Sequence, residues 1–302
     1  MESSKRILVI CATSTQGRGC IRRCVELGLD VSAFARDPSS TVAKELQDQG
    51  AHLIRGDLDD PDSVRAAMMD IDTVIFIHPD LSNLELDVQR ATRVVAAARA
   101  APRVSMMVAT TAVNTGRHES IPGWGPQYPM HDYWILKNTV EDLVRGAGFK
   151  HWVIIRPATF FKVFQRPIRD FCFPGFDQDL TLRVAYDPSV KLALIDGGDV
   201  GAVAASVTTQ PQKYSAREID LAAEALTMDV LASKLSHRLK KKVTIHFYDQ
   251  DELLQRAKQP GGALVLASQQ WQAQVHSDDA VESGKEFQLA SFDDFLTRAD
   301  LI

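Results

Sequence analysis

KRILVICATSTQGRGCIRR, residues 5–23, is the stretch on which the fold turns. It starts with a short apolar run rich in β-branched residues, Ile7-Leu8-Val9-Ile10. It then passes through a turn of small and polar residues, Cys11 to Gly19. Beyond the turn it continues as an amphipathic helical pattern with Ile21, Cys24, Val25 and Leu27 as apolar positions. Strand, small-residue turn and helix in that order form the opening unit of a dinucleotide-binding α/β fold. The start of the helix offers backbone N–H groups without intrahelical partners and the positive end of the helix dipole, so it favours a pyrophosphate.

Outward from this unit the pattern repeats. Residues 30–35 alternate as a second strand and end in Arg36-Asp37-Pro38. In such a fold this strand end faces the adenosine ribose, where an acid binds the hydroxyls of NAD and a basic residue accommodates the 2′-phosphate of NADP. Arg36 and Asp37 present both options side by side. Residues 40–50 read as a helix, capped by Ser40 or Thr41 and stopped by Gly50. A third strand with a turn covers 52–58, and a helix covers 62–69. The run 72–77 is almost continuously apolar, as a parallel sheet covered on both faces requires. His78 and Pro79 follow at its carboxyl end, where ligands bind in such sheets; His78 either lines that cleft or is a plain loop residue. A long helix spans 84–100 and a fifth strand 104–109. This order predicts an α/β, doubly wound parallel sheet of Rossmann type with right-handed crossovers. Residues 1–165 are expected to form the nucleotide-binding domain and 166–302 a smaller C-terminal α/β substrate lobe, with 190–225 returning to the main sheet.

The fifth strand ends in Thr110-Thr111-Ala112, and further on come Tyr133-Trp134-Ile135-Leu136-Lys137 at the head of a helix. Tyr133 and Lys137, four residues apart, lie on one helix face. The loop 117–131 is rich in Gly and Pro and holds Trp124, Tyr128 and His131, either shaping a pocket for a flat aromatic substrate or packing as a surface flap. A sixth strand covers 152–157, and Phe160 and Phe161 after it either wall the substrate cleft or belong to a core. Further strands are read at 190–195, 215–222 and 243–247. A helix covers 227–239 and runs into the basic stretch Arg238 to Lys242, a solvated helix end, and the remainder reads as a small helical lobe.

Taken together these segments resemble the NmrA-like branch of the atypical short-chain dehydrogenase/reductases. The family turn GATGxQG aligns with Cys11-Ala12-Thr13-Ser14-Thr15-Gln16-Gly17, with Cys11 and Ser14 replacing two of three glycines. The first glycine makes the tight turn, the second lets the backbone approach the phosphates, and the third lets helix and strand pack closely. The resemblance implies NADP(H) as cofactor, with Arg36 on its phosphate and Asp57-Leu58 against adenine. It also implies that Lys137 matches the lysine of an SKxxxE-like segment (Lys137 to Glu141), and that the backbone of Pro157 to Phe160 meets the nicotinamide. In short-chain reductases the tyrosine protonates the substrate oxygen as hydride arrives, the lysine binds the ribose and lowers the tyrosine's pKa, and a Ser or Thr, here Thr111, holds the substrate oxygen. The turn Asp196 to Gly201 resembles the family's D-x-x-D-v-G. The implied activity is NADPH-dependent reduction of a small carbonyl or conjugated aromatic molecule. The alternative is a non-catalytic NADP(H)-sensing regulator that acts on a protein partner.

Composition narrows the field. A chain of 302 residues with 45% hydrophobic and 24% charged residues can bury a sizeable core. Its net charge of -5 argues against a nucleic-acid or anionic-membrane binder. No apolar run approaches the ~20 residues of a membrane span. The first strand is read as starting within six residues, so no signal peptide is expected. Four scattered cysteines, without a CxxC pair or a Cys/His cluster, read as buried thiols of a reducing cytosol and imply no metal. A homo-oligomer is compatible with these features.

Overall fold

The computed structural model describes residues 5–78 and 83–301, so Pro79 lies outside the described residues. The first half alternates strand and helix: β1 (Arg6–Ile10), α1 (Thr15–Glu26), β2 (Asp30–Ala35), α2 (Thr41–Asp48), β3 (His52–Arg55), α3 (Pro61–Ala67), β4 (Thr73–Ile77), α4 (Leu84–Ala100), β5 (Met106–Thr110), α5 (His131–Gly146) and β6 (His151–Pro157). After it come β7 (Thr159–Phe160), α6 (Ile168–Cys172), α7 (Phe176–Asp179), β8 (Thr181–Val184), β9 (Lys191–Ile195), α8 (Gly197–Val207), α9 (Pro211–Tyr214) and β10 (Arg217–Leu221). The chain ends with β11 (Glu224–Thr227), α10 (Met228–Leu239), β12 (Thr244–Phe247), α11 (Gln250–Ala257), α12 (Gly262–Ala273), α13 (Ser277–Gly284) and α14 (Phe292–Arg298).

Seven strands make one sheet in the order β10-β6-β5-β4-β1-β2-β3. The pairs β1/β2, β1/β4, β2/β3, β4/β5 and β5/β6 are parallel. The order reverses beside β1, which puts the turn after β1 at the switch point where such sheets bind ligands. Every residue of β4 and β5 is buried, the expected state of central parallel strands covered on both faces. Leu8, Ile10, Val74, Phe76, Met107 and Ala109 meet α4 and α5 through Val94, Ala98, Val140 and Val144 in one core. Each fully buried large apolar side chain there contributes about 1.5–3 kcal/mol. Helix starts follow local chemistry: the Oγ of Ser40 accepts the Ala43 N–H at 3.3 Å, and Asp60 caps α3 ahead of Pro61.

The chain divides into two compact units. The first holds residues 1–115, 132–156 and 197–219, and the second holds 116–131, 157–196 and 220–302. The expected division differs at three places. The boundary falls after residue 156, the loop 116–131 belongs to the second unit, and only 197–219 returns to the first. Within 190–195, Lys191–Ile195 do form a strand, but β9 pairs with β11 (antiparallel) and β7 (parallel) in a separate three-stranded sheet. The second unit has its own core, built on Phe161, Phe164, Leu194, Leu231, Phe292 and Phe295.

Candidate functional site

The turn after β1 is built from strained and crowded backbone. Cys11 sits at φ 57°, the left-handed region, where the family has its first glycine. A side chain in that region costs roughly 1–2 kcal/mol, so the local structure must enforce it. Ser14 is the N-cap of α1, and its Oγ accepts the Gly17 N–H at 3.0 Å. The substitution at the second glycine position is therefore a helix cap. Gly17 cannot be replaced in place: a Cβ there would lie 2.4 Å from the Cys11 carbonyl oxygen and 2.5 Å from that of Ala12. It retains the close-packing task of the third glycine. Among the described residues the N–H groups of Thr15 and Gln16 have no partner, and the buried Oε1 of Gln16 has none either.

This turn opens on a cavity of about 240 Å³ lined by Cys11, Thr13, Ser14, Phe34, Ala35, Arg36, Asp57, Leu58 and Arg90. Six of these are residues singled out in the sequence as cofactor contacts; Phe34, Ala35 and Arg90 are additions. Arg36 lines the cavity and Asp37 does not. The Asp37 carboxylate accepts the Ser39 hydroxyl at 2.6 Å and the Ser39 N–H at 2.9 Å, which holds its carboxyl below the usual range. The acid is thus tied into its own turn, while Arg36 is among the residues that line the cavity. Arg90 donates to both oxygens of Asp59, at 2.8 and 2.5 Å, and to Asp87 at 3.1 Å. Its hydrogen bond holds the Asp59 carboxyl below the ordinary value and pins the loop after β3 to α4. Unpaired first-turn N–H groups, a facing guanidinium and apolar Phe34 and Leu58 fit the adenosine and phosphate end of a dinucleotide.

The remaining predicted residues divide by what they touch. His78 is buried against Phe76, and its Nε2 lies 3.1 Å from the Asp87 carbonyl; it does not line the cavity. Tyr133 and Lys137 share one face of α5, with the ammonium 5.2 Å from the centre of the Tyr133 ring. Lys137 is buried and Tyr133 half-buried. Thr111 corrects an expectation, because its hydroxyl donates to Glu141 at 2.7 Å and its proton is committed there. Glu141 is wholly buried and also receives Arg156 at 2.9 and 2.6 Å and Arg145. Glu218 bridges the same two arginines at 2.7 and 2.6 Å. This ion network has no apolar periodicity to announce it and was missed in the sequence.

In the second unit Trp124 packs with His118, Tyr128 and His131, at ring distances of 4.8, 5.8 and 5.2 Å. Tyr128 is buried and its hydroxyl donates to the Ala267 carbonyl at 3.2 Å, so this loop is a packed flap held to α12. Phe161 is fully buried against Phe292 and Phe295, a core aromatic and not a cleft wall. Pro157 ends β6 and is buried, whereas Phe160 in β7 stays half-buried. Among the described residues no group of three or more His, Cys, Asp or Glu could hold a metal ion, and no helix is long and apolar enough to cross a membrane.

Known proteins share this architecture. A triphenylmethane reductase from Citrobacter sp., solved with NADP(H), superposes with a TM-score of 0.74 at 19% identity, covering 98% of this chain and 99% of that one. NmrA, a negative transcriptional regulator solved in complex with NAD, superposes with a TM-score of 0.77 at 19% identity, covering 98% and 95%. The NAD(P)H azoreductase of Xenophilus azovorans is 26% identical over 212 residues, which is 68% of this chain and 64% of that protein. The chain spans 46% of the length of another curated relative, a chloroplastic protein of Arabidopsis thaliana. The profile of the NmrA-like family matches residues 3–296, from the strand before the Cys11 turn to the last helix of the second unit; the chain belongs to the NmrA-like family.

Proposed function

We propose that this protein is an NADPH-dependent reductase of a small carbonyl or conjugated aromatic molecule. The observation that carries the reading is the cavity after β1, where Arg36 faces the space and Asp37 is tied away from it. Arg36 binds the 2′-phosphate, the Thr15 and Gln16 N–H groups bind the pyrophosphate, and Leu58 and Phe34 flank the adenine. A bound nicotinamide supplies the hydride. Tyr133 donates its hydroxyl proton to the substrate oxygen, and the ammonium of Lys137 favours the phenolate that remains. Thr111 is left out of proton transfer and ties β5 to α5 through Glu141. The names of the azoreductase and the triphenylmethane reductase support an oxidoreductase.

Two observations favour a second reading, a non-catalytic, dinucleotide-sensing regulator that acts on a protein partner. The Lys137 ammonium lies over the Tyr133 ring, and the hydroxyl of Thr111 is taken up by Glu141. The test pairs cofactor affinity with single-turnover NADPH oxidation by a panel of aromatic ketones, quinones and enones. Tyr133→Phe is expected to leave affinity within about twofold and to slow oxidation roughly 10²–10⁴-fold, the span of general acid–base catalysis. Lys137→Ala is expected to weaken both. Full activity in Tyr133→Phe removes the tyrosine from the mechanism, and tight NADPH binding without oxidation by any panel member favours the regulator.

A further inference from the structure

A second cavity of the first unit, about 280 Å³, lies at the opposite, amino end of the same strands. Its floor is stitched by backbone bonds from strand start to strand start. The Asp72 N–H donates to the Arg6 carbonyl at 2.9 Å, the Ser105 N–H to the Asp72 carbonyl at 3.0 Å, and the His151 N–H to the Ser105 carbonyl at 3.0 Å. Lys5, Arg103, Lys150 and His151 line it, with Asp72 as the sole carboxylate among its lining residues. That carboxylate is already satisfied. The guanidinium of Arg103 reaches both its oxygens, at 2.9 and 3.1 Å, and the Arg6 N–H donates to one of them at 2.9 Å. Arg103 and Asp72 cancel, so Lys5 and Lys150 remain as excess positive charge around a concave floor. The imidazole of His151 is oriented by its Nδ1, 3.0 Å from the Ser215 hydroxyl.

We propose that this cavity binds a small multivalent oxyanion of the phosphate or diphosphate type. Two flexible ammonium groups, the Nη1 of Arg103, which has no partner among the described residues, and an oriented imidazole are the donors that such an anion takes. The volume admits a diphosphate with several waters, at about 30 Å³ per water. His151 reports the same field: burial, then Lys150 and Lys5, hold its pKa below the ordinary 6.5. The groups facing it are Lys5, Lys150 and Arg103 as cations and Asp72 as the anion paired to Arg103. An added anion reverses the balance and favours the imidazolium, so the His151 pKa rises on binding and affinity increases as pH falls.

Inorganic pyrophosphate is the probe. The His151 ring resonance of the full-length protein, assigned by its loss in His151→Gln, is followed by NMR against pH with and without pyrophosphate. A saturable upward shift of the His151 midpoint is expected. In the double variant Lys5→Ala/Lys150→Ala the affinity is expected to fall at least about tenfold, the least that losing charge-assisted hydrogen bonds entails. Both lysines are exposed, so the fold is not at stake. In Arg36→Ala the response is expected to be unchanged, which separates this cavity from the one after β1. A His151 midpoint that pyrophosphate does not move, or one that moves equally in the double variant, overturns the proposal. So does a response that disappears in Arg36→Ala.

Discussion

Ser14 and Cys11 stand where the family turn has glycines, and each carries a different consequence. The Ser14 side chain caps α1 by accepting from Gly17. Ser14→Ala is therefore expected to lower stability by about 1 kcal/mol in urea denaturation, and Ser14→Gly by only a few tenths. Equal losses for the two substitutions would show that the cap has no energetic weight. Cys11 is partly exposed and lines the cavity, whereas Cys20 and Cys24 are fully buried and burial pushes the Cys172 thiol up to about 11. Alkylation of the native protein by N-ethylmaleimide near neutral pH is expected to modify Cys11 first, because burial shields Cys20 and Cys24 from the reagent and a raised pKa keeps the Cys172 thiol protonated. NADPH should slow that modification about tenfold or more at a concentration ten or more times its Kd, by occupying the cavity. Peptide mapping checks this, and an unprotected Cys11 counts against a dinucleotide there.

Helix α1 meets α8 at a distance that only glycine allows. A Cβ on Gly19 would lie 2.1 Å from the Gly198 carbonyl oxygen, and one on Gly201 would lie 1.8 Å from the Gln16 carbonyl oxygen. Gly201→Ala must push the two helices apart, and overpacking of this kind costs about 1–3 kcal/mol. Because Gln16 is in the first turn of α1, cofactor affinity should fall with stability. Thermal unfolding and a cofactor titration check both, and an unchanged melting temperature contradicts the backbone-to-backbone packing. The link between β5, α5 and β6 runs instead through charge. Glu141 is buried among Thr111, Arg145 and Arg156. Without it the Thr111 hydroxyl loses its acceptor and the two arginines keep Glu218, so Glu141→Ala should cost about 1–3 kcal/mol in urea denaturation. A loss under about 1 kcal/mol would show that water satisfies the arginines.

The stability of the molecule against acid carries the same signature. Burial alone pushes the Glu218 carboxyl up, but Arg145 and Arg156 together hold it below the usual 4.5. A carboxyl with a depressed folded pKa binds fewer protons folded than unfolded. Its contribution is therefore present in full above pH 4.5 and is lost as pH falls through the folded value. Glu218→Gln should flatten the fall in unfolding free energy between about pH 5 and pH 3, read from urea midpoints, relative to the wild type. An identical acid limb in the two proteins would remove Glu218 from the account.

The alternation of strands and helices, the parallel sheet and the place of the first turn were determined by the sequence itself. β4 reads as unbroken apolar residues and α2 carries its own cap, and both signals are local, with periods of a few residues. The same holds for the cavity after β1, because Cys11, Ser14, Arg36, Asp57 and Leu58 all follow the carboxyl ends of β1, β2 and β3, which the order β-α-β-α-β brings to one edge. Only the tertiary structure decided the rest. Thr111 and Glu141 are thirty positions apart, and nothing in either segment says that a hydroxyl will meet a buried carboxylate. Phe161 has the composition of a cleft wall and of a core residue equally, until Phe292 and Phe295 close over it. The assignment of 190–195 to a separate sheet likewise depends on which strand edge receives it. Periodicity reports which face of an element is buried, but the partner on that face is chosen by packing between residues far apart in the chain.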